Sequence, residues 1–199
     1  IGMQTDPYDI IKSLLIYKNQ QIKDSSSVFL FPYQRIKKAI PKEVKEVLNM
    51  SMFCYQCQEA AKGTGCEVKG VCGKNEVVAK LQDLLIYVTK GIAEIVQTLK
   101  LDPVMIPEVN HEVVRSLFIT ITNANFDADA IEKQIHKMLE MRDQLAKKHA
   151  YSKNHDAAVF LVSSRSAMLE KAGTIGVLAT ENEDVRSLRE LIIYGLKGM

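Results

Sequence analysis

The chain has no tryptophan, five prolines, and no long hydrophobic run. The longest uninterrupted apolar stretch, Ala157 to Val162, falls far short of the roughly 20 residues that span a bilayer. No membrane role is expected. The first apolar segment, Ile10 to Tyr17, is broken by Lys12 and Ser13 and lacks a small-residue cleavage site, so it does not read as a secretory leader. A strong charge of either sign is also missing. The formal net charge is +2, and after position 51 the 18 basic residues are matched by 19 acidic ones, a balance that gives nucleic acid no reason to bind. Cysteine is absent from all but 19 consecutive residues, which hold all four. A disulfide framework spreads its crosslinks over a small secreted fold, so this confinement points to metal binding in a reducing, cytoplasmic setting.

What is present divides by composition into zones. Residues 1–51 carry no recognisable chemistry. Within them Asp6-Pro7 predicts the start of a short helix, Val28 to Tyr33 an extended segment, and Pro41 the start of another short helix. Residues 52–74 hold every cysteine together with Gly63, Gly65, Gly70 and Gly73, four of the ten glycines in the chain. Glycine reaches positive φ and admits close approach, so this segment reads as a loop wrapped around a bound group.

From Asn75 onward the periodicity is helical. Val77, Val78, Leu81, Leu84, Leu85, Val88, Ile92, Ile95, Val96 and Leu99 recur at three- and four-residue steps until Asp102-Pro103, predicting one long amphipathic helix. Asn110 is placed to cap a second helix with Val113, Val114, Leu117, Phe118 and Ile121 on its apolar face. Asp127 caps a third through Ile131, Ile135, Met138, Leu139 and Leu145. Short connections between three such helices predict a bundle over residues 75–150. Residues 151–199 then supply a connector, a short helix near Ala167 to Ala172 ended by Gly173, and a last helix opened by a capping box at Thr180-Glu181-Asn182-Glu183.

An internal repeat runs through these helices at an offset of 107 residues. Asn75-Glu76, Val78, Leu81, Asp83-Leu84, Ile86-Tyr87 and Lys90-Gly91 recur as Asn182-Glu183, Val185, Leu188, Glu190-Leu191, Ile193-Tyr194 and Lys197-Gly198. Duplication predicts that the last helix leads a second bundle, so the chain is expected to be truncated. Its start at Ile1 instead of methionine gives the same expectation at the other end. The apolar residues Val185, Leu188, Leu191 and Ile192 would then lie uncovered.

The cysteines read Cys54-x2-Cys57-x8-Cys66-x5-Cys72, a set of soft thiolates able to hold either iron or zinc. A zinc ribbon closes with a second C-x2-C pair, whereas here the closing spacing is x5, so both an iron–sulfur cluster and a zinc site remain open on spacing alone. His111, His136, His149 and His155 show no ligand spacing and read as surface or helix-end residues. Tyr87 and Tyr194 read as packing residues, Met138, Met141 and Met168 as fillers of apolar space, and the Lys37-Lys38 and Lys147-Lys148 pairs as solvated faces.

The run Met52-Phe53-Cys54-Tyr55-Gln56-Cys57-Gln58-Glu59, followed by Gly65-Cys66-Glu67-Val68-Lys69-Gly70-Val71-Cys72-Gly73-Lys74, closely resembles the amino terminus of the hybrid cluster proteins, also called prismane proteins or hydroxylamine reductases. Leu81 to Tyr87, Thr120 to Asn125 and Leu178 to Glu190 continue the resemblance, which covers Met52 to Met199 and leaves residues 1–51 as an extension.

The resemblance implies a [4Fe–4S] cubane held by Cys54, Cys57, Cys66 and Cys72, in an all-α region built as two three-helix bundles. It implies a parent oxidoreductase that takes electrons from a small redox partner and reduces hydroxylamine to ammonia or nitric oxide to nitrous oxide. In the family the hybrid Fe–S–O cluster that does this chemistry is held by a His, two Glu and further Cys in later domains. This chain is therefore expected to carry electrons without catalysing.

Overall fold

The structure, a computed structural model, describes residues 52–121 and 126–198. The helices expected at Asp6-Pro7 and Pro41, the extended Val28–Tyr33 segment and Lys37-Lys38 lie outside the described residues. Within them the fold is all-α. Six α-helices, α1 (Glu76–Leu99), α2 (Pro107–Ile121), α3 (Ala128–Lys148), α4 (Asp156–Val159), α5 (Arg165–Ile175) and α6 (Glu183–Lys197), follow a cysteine-bearing loop.

Asn75 starts α1 by accepting the Val78 N–H on its side chain at 2.9 Å. Lys100 ends it in the left-handed region at φ 52°, and Leu101 N–H then reaches back to the Val96 carbonyl. The helix is more than amphipathic. Besides Val78, Leu81, Leu84, Leu85, Val88, Ile92 and Ile95, it buries Ala79, Gln82, Thr89 and Gly91, because α2, α3, α4 and α5 all pack around it. Each fully buried Leu or Ile stabilises the fold by about 1.5–3 kcal/mol relative to exposure.

The α3 helix supplies the largest opposing surface. Asp127 caps it through the Asp129 and Ala130 N–H groups, and Ile131, Ile135, Met138, Leu139 and Leu145 face α1. Residues after 150 complete the same core: Ala158 and Phe160 at α4, and Met168 and Ala172 of α5. Inside this apolar setting lies the fully buried Arg142. Its guanidinium donates to the carbonyls of Ala157 at 3.2 Å and Phe160 at 2.8 Å, pairs with Asp143, and stacks 4.8 Å from the centre of the Phe160 ring.

Three local expectations differ from the structure. First, α2 begins at Pro107, and Asn110 instead donates its amide to the Pro103 carbonyl. The buried residues of α2 are Glu112, Ser116 and Thr120, while Val114 and Phe118 face outward. Val113 still packs against the core, and the burial of the polar residues has a polar cause. Gln134 of α3 donates to both Glu112 at 2.9 Å and Ser116 at 3.0 Å, and Lys137 reaches Glu112 at 2.7 Å, while Thr120 donates to the Leu117 carbonyl of its own helix at 2.7 Å.

Second, α5 runs through Gly173 and ends before Gly176. Gly173 keeps ordinary helical backbone and has open space where a side chain would be, so nothing there breaks the helix. Third, Asn182, not Thr180, caps α6 by accepting the Val185 N–H at 2.9 Å. That is the same bond Asn75 makes to Val78, so the repeat is structural at its first residue. Thr180 instead accepts from Arg186 and Arg189.

Candidate metal centre

The cysteine loop begins as an extended strand fragment pairing with residues 66–67. Met52 N–H donates to the Glu67 carbonyl at 3.2 Å, and Cys54 and Cys66 exchange both backbone hydrogen bonds, at 3.0 and 2.9 Å. This single antiparallel bridge sets Cys54 directly opposite Cys66, and directly opposed residues share a face. The first and third cysteines, twelve positions apart, thus become neighbours. Both are buried, while Cys57 and Cys72 are half-buried, and none of the four is in a disulfide.

The eleven residues between the bridged cysteines turn back through a 3₁₀ turn at Ala61–Gly63. Lys62 and Gly63 take φ of 55° and 69°, and Gly65 takes φ of 140°, a conformation that disfavours a side chain. Gly65 also lies flat against Phe53, where an added Cβ would come within 2.6 Å of the ring. The turn aims the Ala61 N–H at Cys66 Sγ, at 3.3 Å. On the closing side, Gly70 N–H donates to the Lys74 carbonyl and Gly73 N–H to Gly70, both at 2.8 Å, which folds the chain over Cys72. A Cβ on Gly70 would stand 3.1 Å from Cys72 Sγ, so only glycine leaves that sulfur its present space.

The electrostatics around Cys54 are opposed. Burial pushes its thiol up from the ordinary value, and the Lys74 ammonium, 3.7 Å from the sulfur and itself buried, pulls it down. A cation held against a buried sulfur favours the thiolate that a metal requires. Among the described residues no three Cys, His, Asp or Glu side chains are gathered into a ready-made single-ion site. The histidines do not join the loop. His136 pairs with Glu132 across a turn of α3, His149 caps the end of that helix, and His155 precedes α4. Tyr87 does pack at a helix interface, with its ring 5.5 Å from Phe160 and its hydroxyl donating to Asp156.

Three residues that residue-type reasoning passed over also attach to the loop. Gln56 lies between the first two cysteines and is 2% exposed. Its amide donates to Asp83 of α1, and its oxygens accept from Lys197 of α6. Desolvation raises the Asp83 carboxyl to about 7, against the opposing pull of the Gln56 amide and Lys197. Desolvation likewise lowers the Lys197 ammonium to about 8. The only signal for this cluster in the sequence was that Asp83 and Lys197 both belong to the repeat.

Residues 52–199 match the Prismane/CO dehydrogenase family. The chain belongs to that family. Among the relatives of this prismane-family chain, a hydroxylamine reductase of Acetivibrio thermocellus is 62% identical over 150 residues, which is 75% of this chain and 28% of the relative. Hydroxylamine reductases of Clostridium perfringens and Desulfitobacterium hafniense are 51% and 52% identical, again over 75% of this chain and 29% and 28% of theirs. The chain therefore spans under a third of the length of these curated relatives. No helix among the described residues is long and apolar enough to cross a membrane.

Proposed function

We propose that this chain is the iron–sulfur electron-transfer region of a hydroxylamine reductase. The observation that carries the reading is a loop whose donor set is sulfur alone, with backbone and glycines shaped around the sulfurs. The Ala61 N–H points at Cys66 Sγ, Gly70 clears space beside Cys72 Sγ, and Lys74 faces Cys54 Sγ. These features fit a thiolate-bound iron–sulfur group, which Cys54, Cys57, Cys66 and Cys72 would hold, most economically as a [4Fe–4S] cubane. When bound, such a group supplies one-electron transfer.

The protein's own contribution is to hold the four sulfurs, to keep water from Cys54 and Cys66 by burial, and to direct an N–H and an ammonium at two of them. Hydrogen bonds and positive charge near sulfur stabilise the reduced state and set the potential. In this reading a small redox protein is the electron donor. The substrate of the longer protein is hydroxylamine, reduced to ammonia, or nitric oxide, reduced to nitrous oxide. The hybrid cluster that would do that chemistry belongs to later domains, and in this chain residues 52–74 form the loop of the electron-transfer cluster, 75–150 a first bundle, and 151–199 a connector leading into a second.

Anaerobic reconstitution with iron and sulfide tests the proposal. A broad absorption near ~400 nm and an EPR signal on reduction are expected, and Cys66→Ser should abolish both. Stoichiometric zinc with no such band would overturn it in favour of a zinc-stapled helical module without redox activity.

A further inference from the structure

The two copies of the repeat use matching residues for different ends. In α1 the Tyr87 hydroxyl donates to Asp156 at 2.6 Å, and Lys90 is exposed. In α6 the matching Tyr194 hydroxyl donates to Gln58 Oε1 at 3.2 Å. Lys197, the counterpart of Lys90, is buried and donates to the Gln56 backbone carbonyl at 3.1 Å and to Gln56 Oε1 at 2.6 Å. Gln56 and Gln58 are the residues immediately before and after Cys57. The second copy of the repeat therefore grips the cysteine loop on both sides of one half-buried cysteine.

The grip is polar and local. Lys197 is the one buried residue of α6, whereas Leu188, Leu191 and Ile192 are exposed. Hydrophobic burial therefore does not explain why the end of this helix meets the loop. A charged ammonium out of water is stable only while its acceptors stay in place, so moving residues 56–58 would leave it unpartnered. Gln56 passes the constraint on to α1 through its bond to Asp83. The other cysteines have different supports: Cys54 and Cys66 have the backbone bridge, and Cys72 has the Gly70–Lys74 turn.

We propose that Tyr194 and Lys197 are positioning residues for Cys57, clamping the Gln56-Cys57-Gln58 turn so that its thiolate is presented to the cluster and the Lys197 charge favours the reduced state. The second part rests on the iron–sulfur reading; the clamp itself does not. The test therefore uses two readouts on the 199-residue chain. In metal-free protein, the alkylation rate of each cysteine is followed by peptide mass spectrometry. Lys197→Met should accelerate Cys57 by about tenfold, the loss expected for one charge-assisted hydrogen bond. Cys54 should stay unchanged, Tyr194→Phe should give a smaller rise, and Lys197→Arg should restore most of the protection.

Lys90→Met, the matching change in α1, should leave Cys57 as it was. In reconstituted protein, Lys197→Met should lose its ~400 nm band faster to a chelator and show a more negative midpoint potential. An unchanged Cys57 rate in the Tyr194→Phe/Lys197→Met double variant would overturn the clamp. So would an equal rise at all four cysteines, or an equal rise with Lys90→Met. If the parent chain itself takes up no cluster, the iron–sulfur reading falls while the alkylation rates still decide the clamp.

Discussion

Replacing Gly91 by alanine should destabilise this protein although alanine is the better helix former. Gly91 lies in the interior of α1, where the substitution alone would stabilise the helix by about 1 kcal/mol. The new Cβ, however, would stand 2.0 Å from the Ala157 carbonyl oxygen and 2.7 Å from its carbon, and it meets backbone, not a flexible side chain. To restore contact distance, α4 must retreat by about 1 Å, an overpacking that costs about 1–3 kcal/mol. The same carbonyl accepts from the buried Arg142, whose lost or stretched bond adds about 1.5–3 kcal/mol. The net expectation is a loss of about 2–4 kcal/mol.

For a chain of this size each kcal/mol moves Tm by about 2–4 °C, so Gly91→Ala should melt roughly 4–16 °C below the parent. Thermal unfolding of metal-free protein by far-UV circular dichroism measures this. Gly173→Ala is the internal control. It also lies inside a helix, but nothing stands within 4 Å of its added Cβ, so it should gain about 0.5–1 kcal/mol. One chemical change should thus give opposite signs at two sites. A Gly91→Ala variant that melts at or above the parent would refute the contact between α1 and α4 as the source of the constraint.

Other consequences follow from the buried polar groups and the open face of α6. Arg142→Met should cost about 3–5 kcal/mol by orphaning the Ala157 and Phe160 carbonyls, read as a lower denaturant midpoint at constant m-value. Because desolvation raises the folded Asp83 carboxyl to about 7 from an ordinary 3.8, the folded state keeps a proton that the unfolded chain releases between those values. The contribution of Asp83 to stability should therefore be greatest near pH 4 and fall toward pH 7. Allowing for its partial exposure, the drop is about 1–2 kcal/mol, and Asp83→Asn should flatten the slope in urea titrations of metal-free protein. Finally, the exposed Leu188, Leu191 and Ile192 of α6 should drive concentration-dependent association in light scattering, relieved by Leu188→Lys/Leu191→Lys; a parent that stays monomeric at high concentration would contradict this.

The chain itself determined whatever depends on neighbours in sequence. Asn75 and Asn182 cap helices because a side-chain oxygen can reach an N–H three residues on, whatever the rest of the molecule does. Gly63, Gly65 and Gly73 take positive φ because the turns between closely spaced cysteines require it. The cysteine spacing narrowed the loop to a soft-metal thiolate site for the same reason, since ligand type and separation are local properties, but by itself it left iron–sulfur and zinc both open. The 3.6-residue periodicity likewise gave α1 and α3 their apolar faces.

Tertiary structure decided whatever needed a distant partner. The apolar residues of α2 predicted its buried side only in part: Val113 packs against the core, but Val114 and Phe118 are exposed, because Gln134 and Lys137 of α3 reward burial of Glu112 and Ser116. Gly91 is obligatory only because the Ala157 carbonyl, 66 positions later, lies against it. Lys197 showed in the sequence only as a member of the repeat, and its buried bond to Gln56, 141 residues away, exists only in the fold. A buried charge or a backbone contact is fixed by the geometry of both partners, and a one-dimensional pattern carries only one of them at a time.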